Sequence, residues 1–401
     1  MVDRACMLPL PSGGAAPGRQ RLDPPLCRPR ARPASTAGDE VVSGVAGMVG
    51  EGNGGVMEMR TLGRTGVKVS PLCLGAMMFG EWGNADHDDS VRIIHAALDA
   101  GINFVDTADV YSAGESEEIV GKALAGARRE NVVLATKAFS PMGRDPNQRG
   151  GSRRWLVRAV EDSLRRLGTD HIDLYQIHRP STDTDVEETL DALTDLQRAG
   201  KILYFGSSTY LPSQIVQAQW AAERRHSGRF VTEQPPYSML ARGIEREVLP
   251  VCQQYGMGTL VWSPLGGGWL SGKWRKGADA PETSRATAFG GAMASRYDLS
   301  DPVNQRKLDA ADALAELAEK NDMTLVQMAI AWTIRHPGVT SAIIGPRTMD
   351  QLTSQLPAAD LVLSDDVLDA IDEIVPPGTN IRADDAGYVP PWIGNAALRR
   401  R

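Results

Sequence analysis

Ile172-Asp-Leu-Tyr-Gln-Ile-His178 is a short apolar run of strand character that stops on a polar residue. Two earlier runs behave alike: Asn131-Val-Val-Leu-Ala-Thr-Lys137, and Gly101-Ile-Asn-Phe-Val-Asp106, which continues through Thr-Ala-Asp-Val to Tyr111. Each polar end stands about one strand–helix unit from the next. Strands that are apolar on both faces and alternate with helices make a parallel sheet covered on both sides. In a closed barrel the ends of successive parallel strands converge at one face. Asp106, Tyr111, Lys137 and His178 are therefore expected to meet at one site.

The alternation extends in both directions. A hairpin is expected over residues 60–70, turned at Arg64-Thr-Gly66. Buried strands follow at 72–75, 103–106, 132–137, 172–178, 202–207, 230–234, 259–263 and 341–345. Helical patterns occupy about 88–100, 116–126, 152–167, 186–199, 212–226, 244–256 and 306–337, the last broken in two, then 349–356 and 365–375. Within 152–167, Leu156, Val160, Ser163, Leu164 and Leu167 share one face. Ser116 reads as an N-cap ahead of Glu117 and Glu118, and Gly200 as a C-terminal cap. No glycine-rich phosphate turn follows the first strand, whereas polar residues cap nearly every strand. The pattern favours an α/β protein of the (β/α)8 TIM-barrel type over an open doubly wound sheet.

At 401 residues the chain suits one such barrel with tails. Residues 57–376 would form it. Residues 1–56 are rich in Pro, Gly, Ala and Arg and lack periodicity. They are expected to be a disordered extension, with Met57 or Met59 opening the functional protein. Residues 377–401 form a tail able to lid a substrate site. A net charge of −7 argues against a nucleic-acid partner. No run approaches the ~20 apolar residues of a membrane span. Cys6, Cys27, Cys73 and Cys252 show neither CxxC nor metal spacing, which points to reduced thiols, a cytoplasmic setting and no metal site. Two glycine motifs fail on context. Gly50-x-Gly52-x-x-Gly55 follows no strand, and Gly267-x-x-x-x-Gly272-Lys273 is followed by Trp274 where a P-loop needs a hydroxyl. The oligomeric state stays open.

Asp, Tyr, Lys and His together suit proton delivery to a carbonyl oxygen. A phenol ordinarily titrates near ~10. A neighbouring ammonium favours the phenolate and so makes the phenol a better acid near neutrality. Lys137 would supply that ammonium and Asp106 would hold it charged. Tyr111 would then be the acid, and His178 would donate to the carbonyl oxygen and orient it. Taken singly, each residue has an ordinary structural reading.

Around these residues the chain resembles the aldo-keto reductases. The resemblance runs through Gly101–Tyr111 with Gly114-Glu-Ser-Glu-Glu118, Leu174-Tyr-Gln-Ile-His-Arg-Pro180, Gly200-Lys-Ile-Leu-Tyr-Phe-Gly-Ser-Ser208, Glu233-Gln-Pro-Pro-Tyr-Ser238 and Trp262-Ser-Pro-Leu265. It covers about residues 60–375. It implies a barrel that binds NADPH without a Rossmann fold and reduces a small aldehyde or ketone, with the four residues in the roles just given. Cofactor contacts are implied at Ala76, Met77 and Asp106. Ser208, Thr209 and Gln234 would meet the nicotinamide carboxamide, and Trp262 would stack on its ring. Ser263, Pro264, Leu265, Gly266 and Gly267 would approach the pyrophosphate. Lys273 and Arg285 would fold over the phosphates, and Arg347 would meet the 2′-phosphate. Gly345, Gln351 and Gln355 would flank the adenosine. Trp82, with Phe79, Trp269, Tyr388 and Trp392, would wall an apolar substrate pocket. The run Trp262 to Lys273 also resembles the potassium-channel β-subunits, so a regulatory NADP-binding subunit stands as the alternative. For a flavin or metal barrel the sequence offers no cluster of His, Asp and Glu.

Overall fold

A computed structural model describes residues 57–279 and 294–398. The extension expected over 1–56, and Arg285, lie outside the described residues. The expected hairpin is β1 (Arg60–Thr61) with β2 (Lys68–Val69). Eight parallel strands then close into a barrel. They are β3 (Leu72–Gly75), β4 (Phe104–Asp106), β5 (Val133–Ala138), β6 (Ile172–Ile177), β7 (Ile202–Ser208), β8 (Thr232–Gln234), β9 (Gly258–Trp262) and β10 (Ser341–Ile344). β10 closes on β3 with Ala342 opposite Leu72. Helices separate the strands, so the fold is the (β/α)8 barrel that the alternation predicts.

Side chains alternate across a strand, so every second residue enters the barrel. Phe104, Ala135 and Leu174 join Cys73 and Leu260 in a lower, apolar layer. Leu62 and Val69 of the hairpin belong to the same cluster and plug it from below. Two residues further along the same strands come Asp106, Lys137 and Gln176, all buried, in an upper, polar layer. The outward faces meet the helices in a larger core. The helix Arg153–Leu167 shows how: it buries Trp155, Leu156, Ala159, Val160, Ser163, Leu164 and Leu167 along one stripe. Each large apolar side chain removed from water contributes about 1.5–3 kcal/mol.

The differences from the sequence expectations are local. β8 begins at Thr232, two residues later than expected, and Phe230 ahead of it packs edge-on against Phe205 and Tyr210. The helix expected over 244–256 opens as a 3-10 turn, Gly243–Glu245, before the α-helix Val248–Tyr255. The long helical pattern divides in two as expected, into Pro302–Lys320 and Leu325–Arg335, the second opened by a capping box of Thr324 and Gln327. Ser116 is not an N-cap. The helix Glu115–Ala123 starts one residue earlier, behind Gly114, and the Ser116 hydroxyl donates to Ala76 O at 2.8 Å. Gly200 does cap its helix, with φ of 72° and its N–H on Gln197 O.

The hairpin lies so close to the barrel floor that a Cβ on Gly63 (φ 56°) would stand 2.8 Å from Val231 O and 2.9 Å from Gly258 N. A Cβ on Gly66 (φ 83°) would meet nothing. Gly63→Ala should therefore cost about 2–4 kcal/mol, from overpacking plus backbone strain, and Gly66→Ala about 1–2 kcal/mol from strain alone. Urea unfolding of both variants checks the ranking.

Glu233 points out of the barrel from β8, fully buried. Ser207 Oγ donates to its Oε2 at 2.5 Å and Tyr210 N–H to its Oε1 at 3.1 Å. Burial pushes its carboxyl up to about 7, against the opposing pull of these hydrogen bonds and of Arg179. An unfolded Glu titrates near ~4.3. Below that pH both states hold the proton. As pH rises towards 7 the unfolded chain releases it first, so stability falls by up to ~1.4 kcal/mol per pH unit. Glu233→Gln should lose this slope, and unfolding curves between pH 4 and 8 would show its advantage over wild type growing with pH.

Candidate active site

The polar layer assembles at the C-terminal end of the strands. Lys137 is fully buried, and all three of its ammonium protons have acceptors. Nζ donates to Asp106 Oδ1 at 2.5 Å, to Thr107 O at 2.8 Å and to Tyr111 OH at 3.3 Å. Gln234 and Gln176 donate to the other carboxylate oxygen, Asp106 Oδ2, at 2.9 and 3.1 Å. Tyr111 reaches this point from the 3-10 turn Tyr111–Gly114 just beyond β4. His178 stands one residue past β6, with its ring edge-on to Tyr111 at a centroid separation of 5.7 Å. Trp82 flanks Tyr111 from the other side at 6.1 Å. The four residues expected to meet do meet.

Their electrostatics follow from this packing. Burial opposes the charge on Lys137, but Asp106, with a lesser contribution from Tyr111, outweighs it and raises the pKa above its usual value. The ammonium is therefore held charged. Burial, reinforced by Lys137 and Arg179, holds the His178 imidazole well below its ordinary range, so it is neutral. Its Nδ1 is buried with no partner among the described residues. A neutral imidazole carries one N–H donor and one acceptor.

Above these residues opens a cavity of about 790 Å³. Trp82, Tyr111, His178, Asp106 and Met77 line it, as do Ser208, Gln234 and Trp262. So do Ser263, Pro264, Leu265, Gly267 and Lys273 on the loop after β9, and Gly345, Arg347, Gln351 and Gln355 after β10. The loop after β9 turns back on itself. Ser263 adopts φ of 61°, its Oγ accepts from Gly267 N–H at 2.9 Å, and Tyr297 OH donates to Gly267 O at 2.8 Å. Among the described residues, Gln355 Oε1 is buried without a partner and nothing crowds the Gly345 Cβ position.

Several expected contacts lie elsewhere. Ala76 packs in the core and Gly266 faces Leu240 and Ser238, so neither lines the cavity. Thr209 is buried, its hydroxyl bonded to Ser208 O at 2.7 Å and to Arg179 Nη1 at 3.2 Å. Gln351 keeps its place in the wall, its amide oxygen accepting from the Arg347 N–H at 2.7 Å. Among the aromatic walls only Trp82 holds its expected place. Phe79 is core, and Trp269 is buried in a stack with Trp274 at 4.0 Å. Tyr388 and Trp392 lie outside the wall, which instead receives Gly387.

Other residues at the cavity escaped the sequence reading. Gln176, beneath the wall and bonded to Asp106, lies two residues before His178 on the inward face, a periodicity that could have revealed it. Arg179 adjoins His178 in sequence. Arg296 and Gly387 carry no sequence signal. Gly387 arrives because the tail is tied down. Lys307 Nζ meets Asp385 at 2.9 Å, Arg382 meets Asp301 at 2.7 Å, and Arg296 donates to Asp384 O at 3.1 Å. A Cβ on Gly387 would stand 2.8 Å from the Trp262 ring. Among the described residues no group of three or more His, Cys, Asp or Glu side chains is placed to hold a metal ion. Nor is any helix there long and apolar enough to cross a membrane.

Known proteins are similar to this chain in sequence. The chain is 41% identical over 331 residues to an uncharacterized oxidoreductase, YrpG, of Bacillus subtilis, covering 80% of this chain and 96% of the relative. It is 37% identical to a probable voltage-gated potassium channel subunit beta of Arabidopsis thaliana, covering 80% and 97%. It is 34% identical to the versiconal hemiacetal acetate reductase of Aspergillus parasiticus, covering 79% and 96%. Residues 71–376 match the aldo/keto reductase family along its barrel. The chain belongs to the aldo/keto reductase family, a family of oxidoreductases.

Proposed function

We propose that this protein reduces an aldehyde or ketone to the alcohol with NADPH, Tyr111 giving the proton. One observation carries the reading: a charged, buried Lys137 reaches Asp106 and Tyr111 at once, at the floor of the cavity. The Tyr111 oxygen accepts from Lys137, so its own O–H is left to donate into the cavity. As that proton leaves, the ammonium favours the developing phenolate. The neutral His178 has a donor to hold the carbonyl oxygen beside Tyr111. Asp106, fixed by Gln176 and Gln234, keeps Lys137 in place.

The residues present fit the cofactor. Ser208, Gln234 and Trp262 line the cavity together with Tyr111, where a nicotinamide would meet them, and the wall carries Lys273, Arg296 and Arg347 as cations for phosphates. The buried, unpartnered Gln355 Oε1 suits an amino group such as that of adenine. The reduced nicotinamide, when bound, supplies the hydride for the carbonyl carbon. Residues 377–398 complete the substrate wall through Gly387, in keeping with a lid formed by the tail beyond the 57–376 barrel. The buried free thiols of Cys73 and Cys252 support a reducing, cytoplasmic setting.

A second reading is a regulatory subunit that binds NADP without turnover. The likeness to the Arabidopsis channel subunit, at 37% identity, favours it. NADPH consumption with a panel of aldehydes and ketones separates the two. Tyr111→Phe should lower the rate by about 10²- to 10⁴-fold while NADPH binding, followed by fluorescence quenching, stays unchanged. Full activity in that variant would sink the mechanism. Arg347→Ala should weaken NADPH about 10- to 100-fold, the worth of a charge-assisted phosphate contact, and leave NADH nearly untouched. Equal losses for both cofactors would remove Arg347 from the 2′-phosphate.

A further inference from the structure

Arg179 lies in the wall of the same cavity, directly after His178. Its Nη1 is spent, donating to His178 O at 2.7 Å and to Thr209 Oγ1 at 3.2 Å. These two acceptors, one beyond β6 and one beyond β7, fix the guanidinium. Its Nε and Nη2 have no acceptor among the described residues. Arg179 is half-buried, open to the cavity; the fully buried cations all hold a carboxylate: Lys137 has Asp106, Lys307 has Asp385, and Arg242 has Glu245 and Asp372. Arg179 has none within 4.0 Å among the described residues. Glu233, whose field reaches it, is already bonded to Ser207 and Tyr210. Among the described residues the cavity wall has one carboxylate, Asp106, and it is taken by Lys137, Gln176 and Gln234.

The barrel geometry separates Arg179 from the other cations of the wall. Strand order around the ring is β10-β3-β4-β5-β6-β7-β8-β9, so β6 and β10 stand on opposite sides. Arg347 follows β10, and Lys273 follows its neighbour β9. A dinucleotide whose phosphates lie against Lys273 and Arg347 leaves Arg179 without a counter-charge. Arg179 stands instead beside His178 and Tyr111, where the carbonyl would sit.

We propose that Arg179 is a specificity-determining residue that binds a carboxylate on the carbonyl substrate, so that the preferred substrates are aldehydo- or keto-acids. The inference rests on the reductase reading above. The planar fork of arginine suits a carboxylate through two parallel N–H bonds, and Nε with Nη2 supplies such an edge. The substrate would thus be held at two points, its carbonyl at Tyr111 and His178 and its anion at Arg179.

The test compares 4-carboxybenzaldehyde with its methyl ester, using the full chain and NADPH. Wild type should show a kcat/KM about 10- to 100-fold higher for the acid, carried by KM, the range that a charge-assisted pair commands. Arg179→Met should erase that preference and leave the ester within about threefold, and Arg179→Lys should restore part of it. Equal use of both substrates by wild type would overturn the proposal. So would an equal loss on both in Arg179→Met, since that would mean Arg179 acts through His178 and Thr209. A second readout is calorimetric binding of 4-(hydroxymethyl)benzoate to the NADP⁺-saturated chain. Binding lost in Arg179→Met supports the anion site, and no binding to wild type overturns it. Absence of turnover on every aldehyde, with NADPH bound, would fell the reductase reading, and the substrate assignment with it.

Discussion

The Asp106–Lys137 ion pair is the constraint around which the upper half of the barrel is organised. A pair this buried loses its water, and the attraction repays that loss only if every remaining donor and acceptor is satisfied. Here all are. Three acceptors take the three ammonium protons, and two glutamine amides complete the carboxylate. Two of the lysine's acceptors are fixed parts of the barrel, a carboxylate and a backbone carbonyl. The third, the Tyr111 hydroxyl, faces the cavity. The arrangement confines proton chemistry to one oxygen, because every other group in the network is engaged within the protein.

The layering of the barrel makes this affordable. Beneath the pair lie Cys73, Phe104, Ala135, Leu174 and Leu260, sealed by Leu62 and Val69. This apolar layer keeps the surroundings below the pair weakly polarisable, whereas above it the cavity opens. A low local dielectric strengthens the field of the ammonium. The hairpin, far from the chemistry, therefore bears on it by completing that apolar layer.

Much of this was legible in the sequence because strands and helices have different periods. Alternation placed Asp106 and Lys137 inside, and the polar ends of the runs marked the face where they meet. Boundaries were less legible. Ser116 has the chemistry of a cap, but the glycine before it let the helix begin sooner. The cavity wall was only partly readable. Arg179 in the wall and Gln176 beneath it belong to runs already recognised. Gly387 and Arg296 come from segments with no period, placed by ion pairs that join the tail to the helix Pro302–Lys320. Aromatic residues misled for the same reason: Trp269 and Phe79 look like pocket walls in sequence, yet ring size drew them into stacks and core.

Ring closure also governs how the protein comes to exist. Ala342 pairs with Leu72, two residues roughly 270 positions apart, and contacts of such long range slow the search for the native state. Until β10 arrives, β3 keeps a bare edge and the apolar layer stays open on one side. A chain held at that stage offers unpaired backbone to its neighbours. The last barrel strand is thus a lock on solubility during folding as well as a wall of the finished site.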